Sequence, residues 1–151
     1  MLYRNEEKYS YCIGSSIKVC PEKAALANIS AMREWDSNGT VFGFDASCPS
    51  RQAGEFGHND FYPVVIAACH VNPIYDGKKI LKAMILLDEI RGRLSEVFSL
   101  KTHKIDHVVF GAIASAVVYG TLLQASVSQI ESAVGMFVAH YIPWRCIRAG
   151  N

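Results

Sequence analysis

The sequence predicts an all-α, packed multi-helix domain. Apolar residues recur at helical spacing in five separate stretches, and Pro, Asp or Asn-Gly signals bound those stretches. No two segments alternate apolar and polar residues well enough to read as a strand pair. With 151 residues the chain has the length of one domain.

The first helix opens at Pro21, whose missing N–H costs nothing in a first turn, and runs to about Trp35. Leu26, Ile29, Met32 and Trp35 are its expected core face, and "DSNGT" stops it. "VFGFD" reads as a short extended or irregular piece and "ASCPSRQAG" as loop. Asn59 or Asp60 can cap a helix over about 61–71, with Pro63 in its first turn. Asp76 caps the longest helix, about 78–100, with Ile80, Met84, Leu87, Ile90, Leu94 and Phe98 on one face. "KTHKID" breaks it, and a helix over about 107–123 follows, crowded with small residues. "SVSQIESA" offers two overlapping capping boxes, Ser126 with Gln129 and Ser128 with Glu131, for a last helix over about 127–141. Gly92, Gly111, Gly120 and Gly135 fall inside these helices, each at a cost of about 1 kcal/mol against Ala. Close packing against neighbouring helices is the expected compensation.

Composition narrows the function. Half of the residues are apolar, 19% are charged, and the net charge is +1. Nothing in that balance recruits nucleic acid, and no charge run suggests a tail. The apolar share is high for a soluble domain, so some surface is expected to be covered by a partner or by further chain. The most apolar windows, "VVFGAIASAVVYGTLL" and "AMILL", are too short or too rich in small residues for a span of about 20 apolar positions, so no membrane partner is expected. The N-terminal "MLYRNEEKYS" reads as neither signal nor transit peptide, and secretion is not expected. Five cysteines, odd in number and without a C-x-x-C, suggest reduced structural thiols.

The residue types that carry acid/base chemistry concentrate in "AGEFGHNDFYP", which places Glu55, His58, Asn59 and Asp60 among glycines and aromatics. Such a loop is either a well-decorated helix start or part of an active site. His58 lies just before a helix N-terminus, where backbone N–H groups attract anions. His107 follows Asp106 at another helix start, where capping with a core-facing ring is the plainer reading. His70 and His140 sit late in helices, as suits an imidazolium at a C-terminus, and His103 sits among lysines in a solvated loop. No histidine spacing matches a metal-ligand pattern, and no nucleotide-loop, zinc-protease or serine-hydrolase motif occurs, so no metal or cofactor is expected. The residues alone reach a loop-borne acid/base site for an anionic substrate.

Four stretches carry a resemblance: "SIKVCPEKAALANISAMREWDSNGTVFGFD", "AGEFGHNDFYPVVIAACH", "DGKKILKAMILLDEIRGRLSEVFSLK" and "IDHVVFGAIASAVVYGTLLQASVSQIESAVGMFVAHYIPWRCIRAG". In order and spacing they resemble the 2-methylcitrate dehydratase family (MmgE/PrpD), which has cis-aconitate decarboxylase as a relative. The resemblance runs from about Ser16 to Gly150, leaving residues 1–15 unmatched and 16–151 as a partial helical domain. It implies a helical domain joined to a smaller α+β lid, metal-free lyase chemistry on a tricarboxylate, and a homodimer in the full-length form. The associated pathway, propionate catabolism by the methylcitrate cycle, implies a mitochondrial or cytoplasmic setting.

By the same resemblance His58 and His107 are the catalytic imidazoles, with Asp45 as a third catalytic group. Glu55, Asn59 and Ser47 are candidates for substrate binding. The family's Asp and following Asp-Thr are replaced here by "GFDASCPSRQ". A family lysine and the lid would lie beyond "IRAGN", so the chain is expected to be an incomplete piece with doubtful activity alone. The alternatives are a cis-aconitate decarboxylase-like enzyme or an inactive helical interaction module.

Overall fold

The computed structural model describes residues 8–35, 37–49 and 55–149, and of residues 55, 56, 148 and 149 it describes the backbone alone. Two short strands, β1 (Ser10–Tyr11) and β2 (Lys18–Val19), precede helix α1 (Pro21–Arg33). Strands β3 (Gly39–Phe42) and β4 (Glu55–His58) follow, then a 3-10 turn at Asn59–Phe61 that leads into α2 (Tyr62–Val71). The remaining helices are α3 (Gly77–Val97), α4 (Val108–Leu122), α5 (Val127–His140) and the short α6 (Arg145–Ala149). The domain is helical, as the periodicity predicts, and the five main helices begin and end within about three residues of their expected limits.

Several helix starts follow their local chemistry. Pro21 opens α1, and Pro63 sits in the first turn of α2. Asp76 accepts from the Lys79 N–H at 2.8 Å to cap α3. Of the two capping boxes the first is used: Ser126 accepts from Gln129 N, and the Gln129 side chain accepts from Ser126 N. α2 departs from expectation. Neither Asn59 nor Asp60 caps it through its side chain, because both are taken into the 3-10 turn that winds directly into the helix.

The core is shared by α2, α3 and α4. Val65, Ala68 and Cys69 meet Ala83 and Leu87 of α3 and Ala114, Val118 and Leu122 of α4. Along α3 the buried stripe is Ala83, Leu87, Arg91 and Ser95, at strict i, i+4 spacing. α1 covers another side of α2, and α5 packs on α4. Tyr75, after α2, donates its hydroxyl to the Leu122 carbonyl at 2.8 Å and so closes the end of α4.

Three expectations are corrected. The strand pairs exist: β1 with β2, and β3 with β4 in the register Gly39↔His58, Thr40↔Gly57, Val41↔Phe56, Phe42↔Glu55. The inward face of α1 is Pro21, Ala24 and Asn28, whereas Leu26 and Trp35 are exposed. Asn28 faces inward because its amide holds the preceding loop, accepting from Ile13 N and donating to the Tyr11 carbonyl. On α3, Phe98 is exposed, being past the last helical turn.

The glycines divide. Gly111 lies directly under the Phe61 ring and Gly120 under the Ile130 side chain, and Gly92 is in ordinary contact with Phe42. Gly135, on the exposed α5, has open space where a Cβ would go, so close packing does not explain it. Opposite effects follow for the same substitution. Gly111→Ala forces the Phe61 ring aside and lowers stability by about 1–3 kcal/mol, as overpacking does. Gly135→Ala fills empty space in a helix and raises stability by about 1 kcal/mol. Urea unfolding of both variants beside the parent checks the pair of signs.

Apolar surface remains uncovered on several helices. Leu26 of α1, Leu81, Ile85 and Val97 of α3, and Met136 and Val138 of α5 are exposed. Among the described residues no helix is long and apolar enough to cross a membrane.

Candidate functional site

His58 ends β4, and two backbone attachments hold it. The ladder pairs it with Gly39, and the next N–H, that of Asn59, donates to the Asn38 carbonyl at 3.0 Å. Asn38 in turn donates its amide to the Met32 carbonyl at 2.5 Å, tying this turn to the end of α1. The His58 backbone is extended, and the residue is only 4% exposed. Two residues further on, buried Asp60 turns its carboxylate toward Arg33 of α1, with Oδ2 3.6 Å from the Arg33 Nε.

His107 occupies the start of α4. Asp106, wholly buried, accepts from Val108 N at 3.1 Å and closes the first turn. Its Oδ1 also lies 3.5 Å from His107 Nδ1, an ion pair whenever the ring is protonated. The segment after α5 straps this start in place. Asp106 N donates to the Pro143 carbonyl, Arg145 N donates to the Lys104 carbonyl, and Ile105 bridges Trp144 in antiparallel fashion. The position of Asp106 is therefore fixed from both sides of the chain.

These two starts bring the imidazoles together. The His58 and His107 ring centroids are 5.6 Å apart, with the planes tilted by 38°. His58 is the inner ring. The His107 side chain is 16% exposed, but its Nε2 is buried. Two imidazoles from different elements, with a buried carboxylate beside one of them, are the residue types that general acid/base chemistry uses.

The other candidates do not join this pair in the same way. Asp45 is engaged locally: its Oδ1 accepts from Ser47 N at 3.0 Å and from Ser47 Oγ at 2.6 Å. It follows Phe42, the end of the β3–β4 ladder remote from His58, and about 10 Å of strand separates the two ends. Ser47 is exposed in that same turn. Glu55 begins β4 at the remote end of the ladder, and its side chain lies outside the described residues. Asn59 is half-buried in the turn beside His58. Asp106 lies beside His107, and Asp60 comes two residues after His58.

A group behind His58 was not anticipated. Arg91 of α3 is 2% exposed, and its Nη2 donates to the His58 carbonyl at 2.7 Å. Its Nη1 donates to Asp88 at 3.0 Å, and the other Asp88 oxygen accepts the Tyr62 hydroxyl at 2.5 Å. Phe42 and Phe61 pack over the guanidinium, their ring centroids 4.7 and 5.2 Å from its carbon. Burial draws the Arg91 pKa below its ordinary range, and Asp88 opposes that shift. Burial, with the Asp88 hydrogen bond next, pushes the Tyr62 phenol up to about 12. One signal for Arg91 was present: it continues the Met84, Leu87, Leu94 face of α3, where a charged side chain is either buried or misplaced.

The remaining histidines have other roles. His70 shares a 2.7 Å hydrogen bond with buried Ser10, and Tyr11 stands edge-on to its ring. His103 and His140 are exposed. Burial pushes the Cys69 thiol above its usual range, which suits a core residue and not a nucleophile. The cleft between α3 and α4, with Lys79 and Lys82 at its rim over Leu86 and Val118, contains neither imidazole.

No solved structure gives a significant match to the chain. The family model of the MmgE/PrpD N-terminal domain matches residues 4–151, beginning upstream of Ser16. A match over nearly the whole sequence, to a helical domain, places this chain in the MmgE/PrpD family as its N-terminal domain.

Proposed function

We propose that this domain supplies the acid/base pair of a hydro-lyase that removes water from a tricarboxylate, as 2-methylcitrate dehydratase does. Members of the family are generally dehydratases or other lyases. The observation that carries the finer reading is the 5.6 Å approach of His58 to His107, with Asp106 3.5 Å from the latter.

Elimination needs two proton movements in opposite directions. A base takes the proton from the carbon next to a carboxylate. The electron pair forms the C=C bond as the C–O bond breaks, and an acid protonates the departing hydroxyl to release water. His107 is assigned as the acid, because its imidazolium has the Asp106 carboxylate beside it. His58 is assigned as the base: it is the inner ring, and its neutral imidazole can accept the proton. Each such group typically contributes about 10²–10⁴ in rate. Decarboxylation of cis-aconitate would use the same acid to protonate carbon after loss of carbon dioxide, and is the competing chemistry.

The test is an assay of 2-methylcitrate dehydration and cis-aconitate decarboxylation in a full-length enzyme bearing this domain. Dehydration as the faster reaction is expected. Decarboxylation as the faster reaction reassigns the substrate, and absence of both reactions contradicts the lyase reading.

A further inference from the structure

We propose that Arg91 is the positioning residue for His58, holding its carbonyl so that the imidazole faces His107. This rests on the acid/base reading of the pair. The guanidinium joins several of the elements that meet at the His58 turn. One nitrogen donates to His58 O at 2.7 Å, another to Asp88 at 3.0 Å, and the aromatic faces of Phe42 from β3 and Phe61 from the turn close over it. Asp88 is held in turn by the Tyr62 hydroxyl, so α2, α3 and the β3–β4 ladder bear on the same group.

Two features argue against simple filling of space. The stripe it occupies on α3 is otherwise Ala83, Leu87 and Ser95, and an apolar side chain there would avoid the desolvation of a buried cation. The chain also makes room for it: a Cβ on Gly57, next to His58, would overlap the Arg91 Nη2 and the Phe42 ring. A planar donor with two separate acceptors fixes both the distance and the direction of the His58 carbonyl, as a single flexible ammonium would not. Rotation of that peptide would swing the imidazole away from His107.

The experiment compares the chain with Arg91→Met and Arg91→Lys by NMR, following the cross-peak between the His58 and His107 ring protons. The cross-peak is expected in the parent, lost in Arg91→Met with cooperative unfolding retained, and partly kept in Arg91→Lys, which still offers N–H donors. In a full-length enzyme bearing this domain, Arg91→Met should lower kcat about tenfold or more with little change in KM, since misplacing a catalytic group acts on the reacting geometry. An unchanged cross-peak in Arg91→Met overturns the proposal. If that variant does not fold, Asp88→Asn replaces it; a weakened cross-peak upholds the positioning role and an unchanged one overturns it. Should the full-length enzyme lack lyase turnover altogether, the lyase reading fails, while the cross-peak still decides the role of Arg91.

Discussion

His58→Ala, in a full-length enzyme bearing this domain, is expected to lower kcat by about 10² or more, the usual contribution of a positioned acid or base. The residue sits at the end of a short strand with its ring against His107, 4% exposed, and its removal leaves no other imidazole within that contact. His103→Ala serves as the control. His103 is exposed in the Lys101–His103 turn, and its loss should leave turnover unchanged. Turnover rates of the two variants beside the parent check this. A His58→Ala enzyme that retains its rate would make the ring a packing element and no more.

Leu87→Ala is expected to cost about 2–5 kcal/mol of stability, because the surrounding helices cannot collapse fully into the space it leaves. Leu87 is 0% exposed at the centre of the cluster formed by α2, α3 and α4. Such a loss is a large share of the roughly 5–15 kcal/mol that holds a domain folded. Leu26→Ala should change stability by only about 0.5 kcal/mol, since Leu26 is 67% exposed on α1. Denaturant unfolding of both variants distinguishes a core on the Leu87 side from one that also includes the Leu26 face. Equal losses would contradict the placement of α1.

The helices were legible because their signals are local. Pro21 and Pro63, the Asp76 cap and the Ser126–Gln129 box act within a few residues of the helix starts that they mark. The face of α1 was not legible for a tertiary reason. Leu26 and Trp35 make the more apolar stripe, but Asn28 faces inward because its amide meets backbone groups of the loop before it. The β3–β4 pair was missed because four residues containing Gly39 or Gly57 carry too little alternation to register. Its position comes from contacts far along the chain, with Phe42 over Arg91 and Gly43 against Ser95.

The candidate site shows the same division. The residue types at 58 and 107, with the family resemblance, were enough to nominate both imidazoles. Their approach depends on how β4 and α4 are set by the Arg91 group and by the strap at Pro143–Arg145, which no short motif encodes. Asp106 stands one residue before the N-cap position, His107, and accepts from Val108 N; its contact with His107 at 3.5 Å is not encoded in any short motif. Asp45, which the family pattern nominates, accepts from Ser47 N and Oγ in the turn after β3, a local contact that the Asp-x-Ser spacing alone can form.

The claim that His58 and His107 act as one acid/base unit is tested most directly by a double-mutant cycle on kcat in a full-length enzyme bearing this domain. Residues that act as a unit are strongly non-additive, because losing either already removes the concerted step. The account predicts that His58→Ala with His107→Ala loses about as much as the more damaging single variant. Losses that multiply, each histidine contributing independently of the other, would contradict it.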